Sequence, residues 1–272
     1  MATRTGPAPA GWLYQLSGYP GGRLDALARA SGSTAVIDLA RDGGSDYFSQ
    51  AEVSALRASG KHVLAYFTIG SIENYRPEYS KVAALKLNRW ADWPDEYFVR
   101  YWDDAWWRLV VQPRLDQALA AGFDGAYLDV PNAYEEIDLA LVPGETREDL
   151  GAKMAKLIMR ISAYAKARRP GFEIVPQNSP ELQQVPGYTA AIDGIGVEEL
   201  FYLATDEPCT QDFCQENLDS VRALRRAGKF VLAVDYATRP EDIARACARY
   251  RAEGFTGYVT TVALDHIRPP CD

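Results

Sequence analysis

The sequence predicts an α/β fold, a single (β/α)8 TIM barrel, and three observations carry that prediction. Eight short apolar runs are spread along the chain, and segments of helical period lie between them. The 272-residue length also suits one such barrel, for which about 250 residues is typical. Strand patterns alternating with helical ones are the sequence sign of a parallel sheet.

The runs are, in order, Trp12–Leu16, Ala35–Leu39, Val63–Gly70, Gly125–Val130, Glu173–Asn178, Gly194–Leu200, Phe230–Ala237 and Gly257–Val262. Near their far ends stand Gln15, Asp38, Tyr66, Asp129, Asn178, Glu198, Asp235 and Thr261. Four of these eight are acidic. A carboxylate at the end of a buried strand is costly unless it is paired, solvated or used, and a parallel barrel builds its chemistry on the rim where strands end.

Between runs four and five, Leu150, Met154, Leu157, Ile158, Ile161 and Tyr164 recur at three- and four-residue spacing and form one apolar face. Thr146 with Asp149 suits a helix start, and Arg168-Arg169-Pro170-Gly171 suits a stop. Residues 217–227 and 241–252 read the same way. The chain also repeats itself. Leu56-Arg-Ala-Ser-Gly-Lys-His-Val-Leu-Ala65 resembles Leu224-Arg-Arg-Ala-Gly-Lys-Phe-Val-Leu-Ala233, and Gly122-Phe-Asp-Gly125 resembles Gly254-Phe-Thr-Gly257. Each pair is four runs apart, as expected of a barrel with two similar halves, although Gly-rich turns before strands also converge without common origin.

The halves differ mainly between Ser71 and Trp102, a long insertion after strand three that would sit on the catalytic face. It carries Glu73, Tyr75, Arg76, Tyr79, Trp90, Trp93, Tyr97 and Tyr101, and that aromatic content argues against disorder. Residues 1–10, rich in Ala, Pro and Thr, are expected to be a flexible lead, with 11–272 forming the barrel.

Composition narrows the function. A net charge of −8 argues against nucleic acid as partner and favours a cationic one. No apolar stretch approaches the roughly 20 residues that cross a bilayer, so no membrane insertion is expected. The four cysteines permit two disulfides in three connectivities, with buried thiols as the alternative. His62 and His266 lie far apart in sequence and no Cys-x-x-Cys occurs, so no zinc site is expected. Hydrolysis by a Ser-His-Asp triad, phosphoryl transfer and hydride transfer have no visible machinery, because no Gly-x-Ser-x-Gly, Walker or Gly-x-Gly-x-x-Gly pattern is present.

Paired carboxylates remain. Asp129 ends run four and Glu198 ends run six, so the two can face each other across the barrel mouth. That arrangement suits glycoside hydrolysis. Glu198 and Glu199 point to opposite faces of a strand, so one of them is expected on the surface or in an ion pair. Asp38 divides between holding a loop and touching a ligand. Asp235 with Tyr236 looks like a sugar-contacting pair, though a structural hydrogen bond is equally open to it. Trp106 and Trp107 are assigned to packing, whereas Tyr66, Tyr75, Tyr134 and Tyr202 follow strand ends and are contact candidates.

At these residues the chain resembles glycoside hydrolase family 114, the endo-α-1,4-polygalactosaminidase group. The matching tracts are 65–76, 99–103, 122–129 with Ala133-Tyr134-Glu135, Pro176-Gln-Asn178, and 192–198 with Leu200-Phe-Tyr202, and they keep the family's order. The resemblance implies a TIM-barrel hydrolase that cleaves α-1,4-linked galactosamine polymers outside the cell, without cofactor. It places the acids on Asp129, as nucleophile, and Glu198, as acid/base, in a retaining mechanism. Substrate contacts would come from Asp38, Tyr66, Glu73, Tyr75, Tyr134, Asn178, Tyr202, Asp235 and Tyr236. Two departures bear on which glycan is cleaved: Val130-Pro131 follow the acid where well-known members have Asn, and Ser71 stands where many relatives have Glu. The expected partner is a polysaccharide, for which a cationic polymer would suit the acidic chain, acted on by a monomer that is secreted or extracytoplasmic, with a cytoplasmic site still open. The alternatives are a non-catalytic glycan-binding barrel, and an α-galactosidase or transglycosylase using the same pair.

Overall fold

The computed structural model describes residues 10–271. Eight parallel strands carry the fold: β1 (Trp12–Tyr14), β2 (Thr34–Asp38), β3 (His62–Thr68), β4 (Gly125–Asp129), β5 (Glu173–Pro176), β6 (Gly194–Glu198), β7 (Phe230–Tyr236) and β8 (Thr256–Thr260). Strands β1 to β5 pair in sequence order, and β6, β7 and β8 do the same. A parallel bridge between Gln177 and Gly196 joins the two sets, helped by Asn178 N donating to Gly196 O at 2.7 Å. At the other seam Leu16 N donates to Leu264 O at 2.8 Å, and Trp12 lies 5.8 Å from the Tyr258 ring. The predicted (β/α)8 barrel is the observed one. Residues 1–9 of the predicted lead lie outside the described residues; Ala10 donates its N–H to Ser33 Oγ at 2.9 Å.

The outer helices include α1 (Asp25–Arg29), α2 (Gln50–Ala58), α3 (Gln112–Ala121), α4 (Arg147–Arg168), α5 (Tyr188–Ala191), α6 (Asp212–Arg226) and α7 (Pro240–Glu253). The start of α4 is the predicted one: Thr146 and Asp149 exchange side-chain and backbone hydrogen bonds as a capping box. Its apolar stripe, Leu150, Met154, Leu157, Ile158 and Ile161, is buried. Trp106 and Trp107 are core residues, and Trp106 donates its indole N–H to Ile69 O at 2.9 Å.

Aromatic side chains fill the barrel's interior. Trp12 stacks on Tyr14 at 5.3 Å and on Tyr127 at 6.1 Å, and Tyr14 in turn touches Tyr66. Alternation along β6 puts Gly196 on the inner face, and a Cβ there would stand 2.0 Å from the Tyr127 hydroxyl. Glycine is therefore required for the ring to fit. Overpacking by Gly196→Ala would cost about 1–3 kcal/mol. This buried aromatic plug forms the floor under the strand ends.

On the opposite rim, His62 bonds Glu173 Oε2 at 2.7 Å, and Asp124 binds Arg57 and the backbone of Val63. These groups tie together the starts of β3, β4 and β5. The insertion is ordered. Its segments Ser71–Glu73, Lys86–Arg89 and Glu96–Val99 make a three-stranded antiparallel sheet with 96–99 in the middle. Two disulfides are present, Cys209–Cys214 and Cys247–Cys271. The second ties α7 to the tail, where Cys271 N also donates to Gly257 O at 3.1 Å.

Candidate active site

A cleft of about 870 Å³ opens where the strands end, walled on one side by the insertion. Asp129 and Glu198 stand on its floor, as the last residues of β4 and β6. Asp129 accepts hydrogen bonds from the Tyr66 hydroxyl, from Val130 N at 2.8 Å and from Gln177 Nε2 at 2.7 Å. Glu198 accepts from the Tyr236 hydroxyl, from the same Gln177 nitrogen and, more weakly, from Asn178 Nδ2 at 3.4 Å. Asn178 also takes Glu198 N at 2.9 Å, which fixes the end of β6.

Burial over the aromatic floor raises both acids, since a charge there loses its water. Asp129 is pushed up to about 6, with the Tyr66 and Val130 hydrogen bonds opposing the rise. Glu198 is pushed up to about 8, by burial and then by the charge of Asp129. Burial and the adjacent carboxylates hold the Tyr66 and Tyr236 phenols well above their ordinary value, so both stay protonated and donate.

The insertion wall is an ion cluster. Arg76 binds Asp38 in bidentate fashion at 3.1 and 2.8 Å, and Glu73 Oε1 at 3.0 and 2.8 Å. Burial pushes Glu73 up, but Arg76 and Arg114 together outweigh it and hold the carboxyl below its ordinary value. Asp38 stays raised, because its burial exceeds what Arg76 returns. Glu96 accepts a hydrogen bond from the Ser71 hydroxyl; burial, then the charge of Glu73, push it up to about 8 against the weaker pull of Arg76.

Of the residues expected from sequence, Asp38, Tyr66, Glu73, Tyr75, Asp129, Asn178, Glu198 and Tyr236 line the cleft. Three lie outside its lining. Asp235 is fully buried on the outer face of β7, where it accepts Phe201 N and Tyr202 N at 2.9 Å and the Tyr250 hydroxyl. Tyr202 is buried with its hydroxyl on Asp242 at 2.9 Å, and the Tyr134 hydroxyl is taken by Glu181. Alternation puts Asp235 and Tyr236 on opposite faces, so one of that pair had to turn away. Glu199 departs from expectation in the other direction. Its backbone enters the left-handed region (φ 53°), strand alternation stops there, and its side chain also lines the cleft. Burial, then Asp235 and Asp92, push it up to about 7.

Sequence reasoning missed Gln177 and Glu96. Gln177 sits an even number of residues from the inward positions of its strand and next to Asn178, a signal available from spacing alone. Glu96 had no such signal, because its position depends on how the inserted sheet folds back. Among the described residues, no group of three or more His, Cys, Asp or Glu side chains is arranged to hold a metal ion.

A barrel with two raised, hydrogen-bonded acids on its floor can shuttle one proton and supply one carboxylate nucleophile. The sequence profile of glycoside-hydrolase family GH114 matches residues 2–272. The chain belongs to glycoside-hydrolase family GH114. An uncharacterized protein from Deinococcus radiodurans is 36% identical over 261 residues, covering 94% of this chain and 82% of that one. The fold is that of a variant of the glycoside hydrolase domain of PelA from Pseudomonas aeruginosa (TM-score 0.74, 20% identity, 95% and 97% of the two chains). It is also that of Aspergillus fumigatus Ega3 solved with galactosamine (TM-score 0.72, 18% identity, 99% and 98%). GH114 membership makes the chain a glycoside hydrolase by family.

Proposed function

We propose that this GH114 chain is an endo-acting, retaining hydrolase of α-1,4-linked galactosamine- and N-acetylgalactosamine-containing polysaccharide. The observation that carries the reading is the shared Gln177 nitrogen. Because one nitrogen bonds both acids, the two accepting oxygens lie within about 5 Å of each other by hydrogen-bond lengths alone. Retaining enzymes hold their carboxyls about 5–5.5 Å apart, whereas inverting ones leave about 6.5–9.5 Å for a water.

In the first step Asp129, ionised above about 6, forms a bond to the anomeric carbon. The bond from that carbon to the leaving oxygen breaks, and Glu198, protonated below about 8, gives its proton to that oxygen. In the second step Glu198 takes a proton from water, the water oxygen bonds the anomeric carbon, and the bond to Asp129 breaks. Two inversions leave the α configuration.

Charge supports an amino-sugar polymer. The lining carries Asp38, Asp42, Glu73, Asp92, Glu96, Asp129, Glu198 and Glu199 against one guanidinium, Arg76; Glu96 and Glu198 keep their protons below about 8, and the remaining acids still leave the lining net negative. Such a field draws in ammonium groups and repels uronic acids. The rim's Trp93, 49% exposed, and Trp90 offer ring faces for stacking further along a polymer. The galactosamine in the Ega3 structure is in keeping with this choice. Two disulfides support action outside the cytoplasm, and a monomer already carries every residue the mechanism uses. Incubation with α-1,4-galactosamine, N-acetylgalactosamine and galactose oligomers, read by mass spectrometry, tests the reading. Internal cleavage of the first two is expected; cleavage of galactose oligomers alone would move the chain to the α-galactosidase class, and binding without cleavage would make it a lectin-like barrel.

A further inference from the structure

We propose that Gln177 is the positioning residue of the acid pair, and that by tying down Asp129 Oδ1 and Glu198 Oε2 it assigns the chemistry to Asp129 Oδ2 and Glu198 Oε1. The proposal rests on the glycosidase reading for its consequence, but on hydrogen-bond accounting for its content.

A side-chain amide nitrogen donates and cannot accept. Glu198 Oε2 faces two such nitrogens, those of Gln177 and Asn178. A proton on Oε2 would therefore point at donors. On Oε1 the proton meets the Tyr236 hydroxyl, which can turn and accept it. The proton given to the leaving oxygen thus departs from Oε1. Asp129 divides in the same way. Its Oδ1 takes two N–H groups, Gln177 Nε2 at 2.7 Å and Val130 N at 2.8 Å, whereas Oδ2 takes only the Tyr66 hydroxyl. The oxygen with lone pairs free for the anomeric carbon is Oδ2. The amide claims the two inner oxygens, and a tyrosine marks each working one.

Gln177 is itself held. Its Oε1 accepts the Tyr14 hydroxyl at 2.9 Å, and its backbone N–H donates to Leu128 O at 2.8 Å. With Oε1 so occupied, flipping the amide would set its oxygen against the Asp129 carboxylate and turn its NH2 toward the Tyr14 hydroxyl in place of the acceptor. Gln177 is 2% exposed and is absent from the cleft lining, so it acts through the acids. Tyr14 is the brace behind it.

The test uses the full chain with Asp and Glu carboxyls labelled with 13C, titrated by NMR beside the pH profile of hydrolysis. Gln177→Met keeps the length of the side chain and removes its donors. Asp129 should then titrate about one pH unit higher, since a carboxylate that loses an N–H donor holds its proton more tightly. The kcat should fall about 100-fold with KM within about threefold, the effect of a small misplacement of reacting atoms. Tyr14→Phe should move both readouts the same way by less. The double variant should be no worse than Gln177→Met alone, because both act through one contact. Additive losses, or an Asp129 titration that stays put in both variants, would overturn the proposal. If Gln177→Met does not fold, Tyr14→Phe alone decides. A shifted titration in a chain that cleaves no glycan would uphold the positioning role and overturn the hydrolase reading instead.

Discussion

Replacing Arg76 by Met should destabilise the protein by an amount that can be worked from its surroundings. The Arg76, Asp38 and Glu73 side chains are 5%, 3% and 6% exposed, so this is a buried ion cluster and not a surface pair. Removing one member of a buried pair leaves charge without a partner and costs about 3–5 kcal/mol. Unfolding entropy of about 2.1 cal/mol/K per residue over 272 residues converts that to a fall in Tm of about 5–9 °C. The pH dependence has a definite sign. Without the guanidinium both carboxyls are raised in the folded state, so the folded variant binds more protons than the unfolded one and loses stability as pH rises. Its deficit against the wild type should be larger at about pH 8 than at about pH 5. Thermal unfolding followed by circular dichroism, with denaturant unfolding at both pH values, measures this. A loss below about 1 kcal/mol, or a deficit that does not change with pH, would refute the argument.

Other expectations follow from the same contacts. The rate kcat/KM should be bell-shaped, rising as Asp129 ionises near about 6 and falling as Glu198 loses its proton near about 8; a profile flat across that window would remove the pair from catalysis. Asp235→Ala should lower stability by about 1–3 kcal/mol, through the backbone N–H groups it leaves unpaired, with KM unchanged, whereas Asp129→Asn should abolish turnover and leave Tm nearly unchanged. Reducing Cys247–Cys271, which spans 24 residues, should cost about 3 kcal/mol, visible as a lower Tm under reductant.

Much of the barrel was legible because its strands are near-continuous apolar runs with polar tips, a pattern that few other arrangements produce. The acid pair was legible for the same reason: Asp129 and Glu198 are the last residues of β4 and β6. Strand alternation accounts for two departures, at Glu199 and at Asp235. Applied to Glu198 and Glu199, it held only as far as the strand, since the left-handed turn at Glu199 brings that carboxyl back into the cleft. The same rule sends one of Asp235 and Tyr236 outward, and the hydrogen bonds from Phe201, Tyr202 and Tyr250 make it Asp235. Tyr134 and Tyr202 follow strand ends, yet Glu181 and Asp242 claim their hydroxyls. Those acids come from other parts of the chain, and no local pattern announces them. Glu96 was hidden for a related reason: Ser71 and Glu96 meet only because the insertion pairs 71–73 with 96–99.

The most direct test of the account is the anomeric form of the first product released from an α-1,4-galactosamine oligomer, read by 1H NMR before mutarotation. Asp129 and Glu198 sharing one amide nitrogen predict the α-anomer. A β-anomer would mean a single displacement by water, and would contradict the assignment of Asp129 as nucleophile.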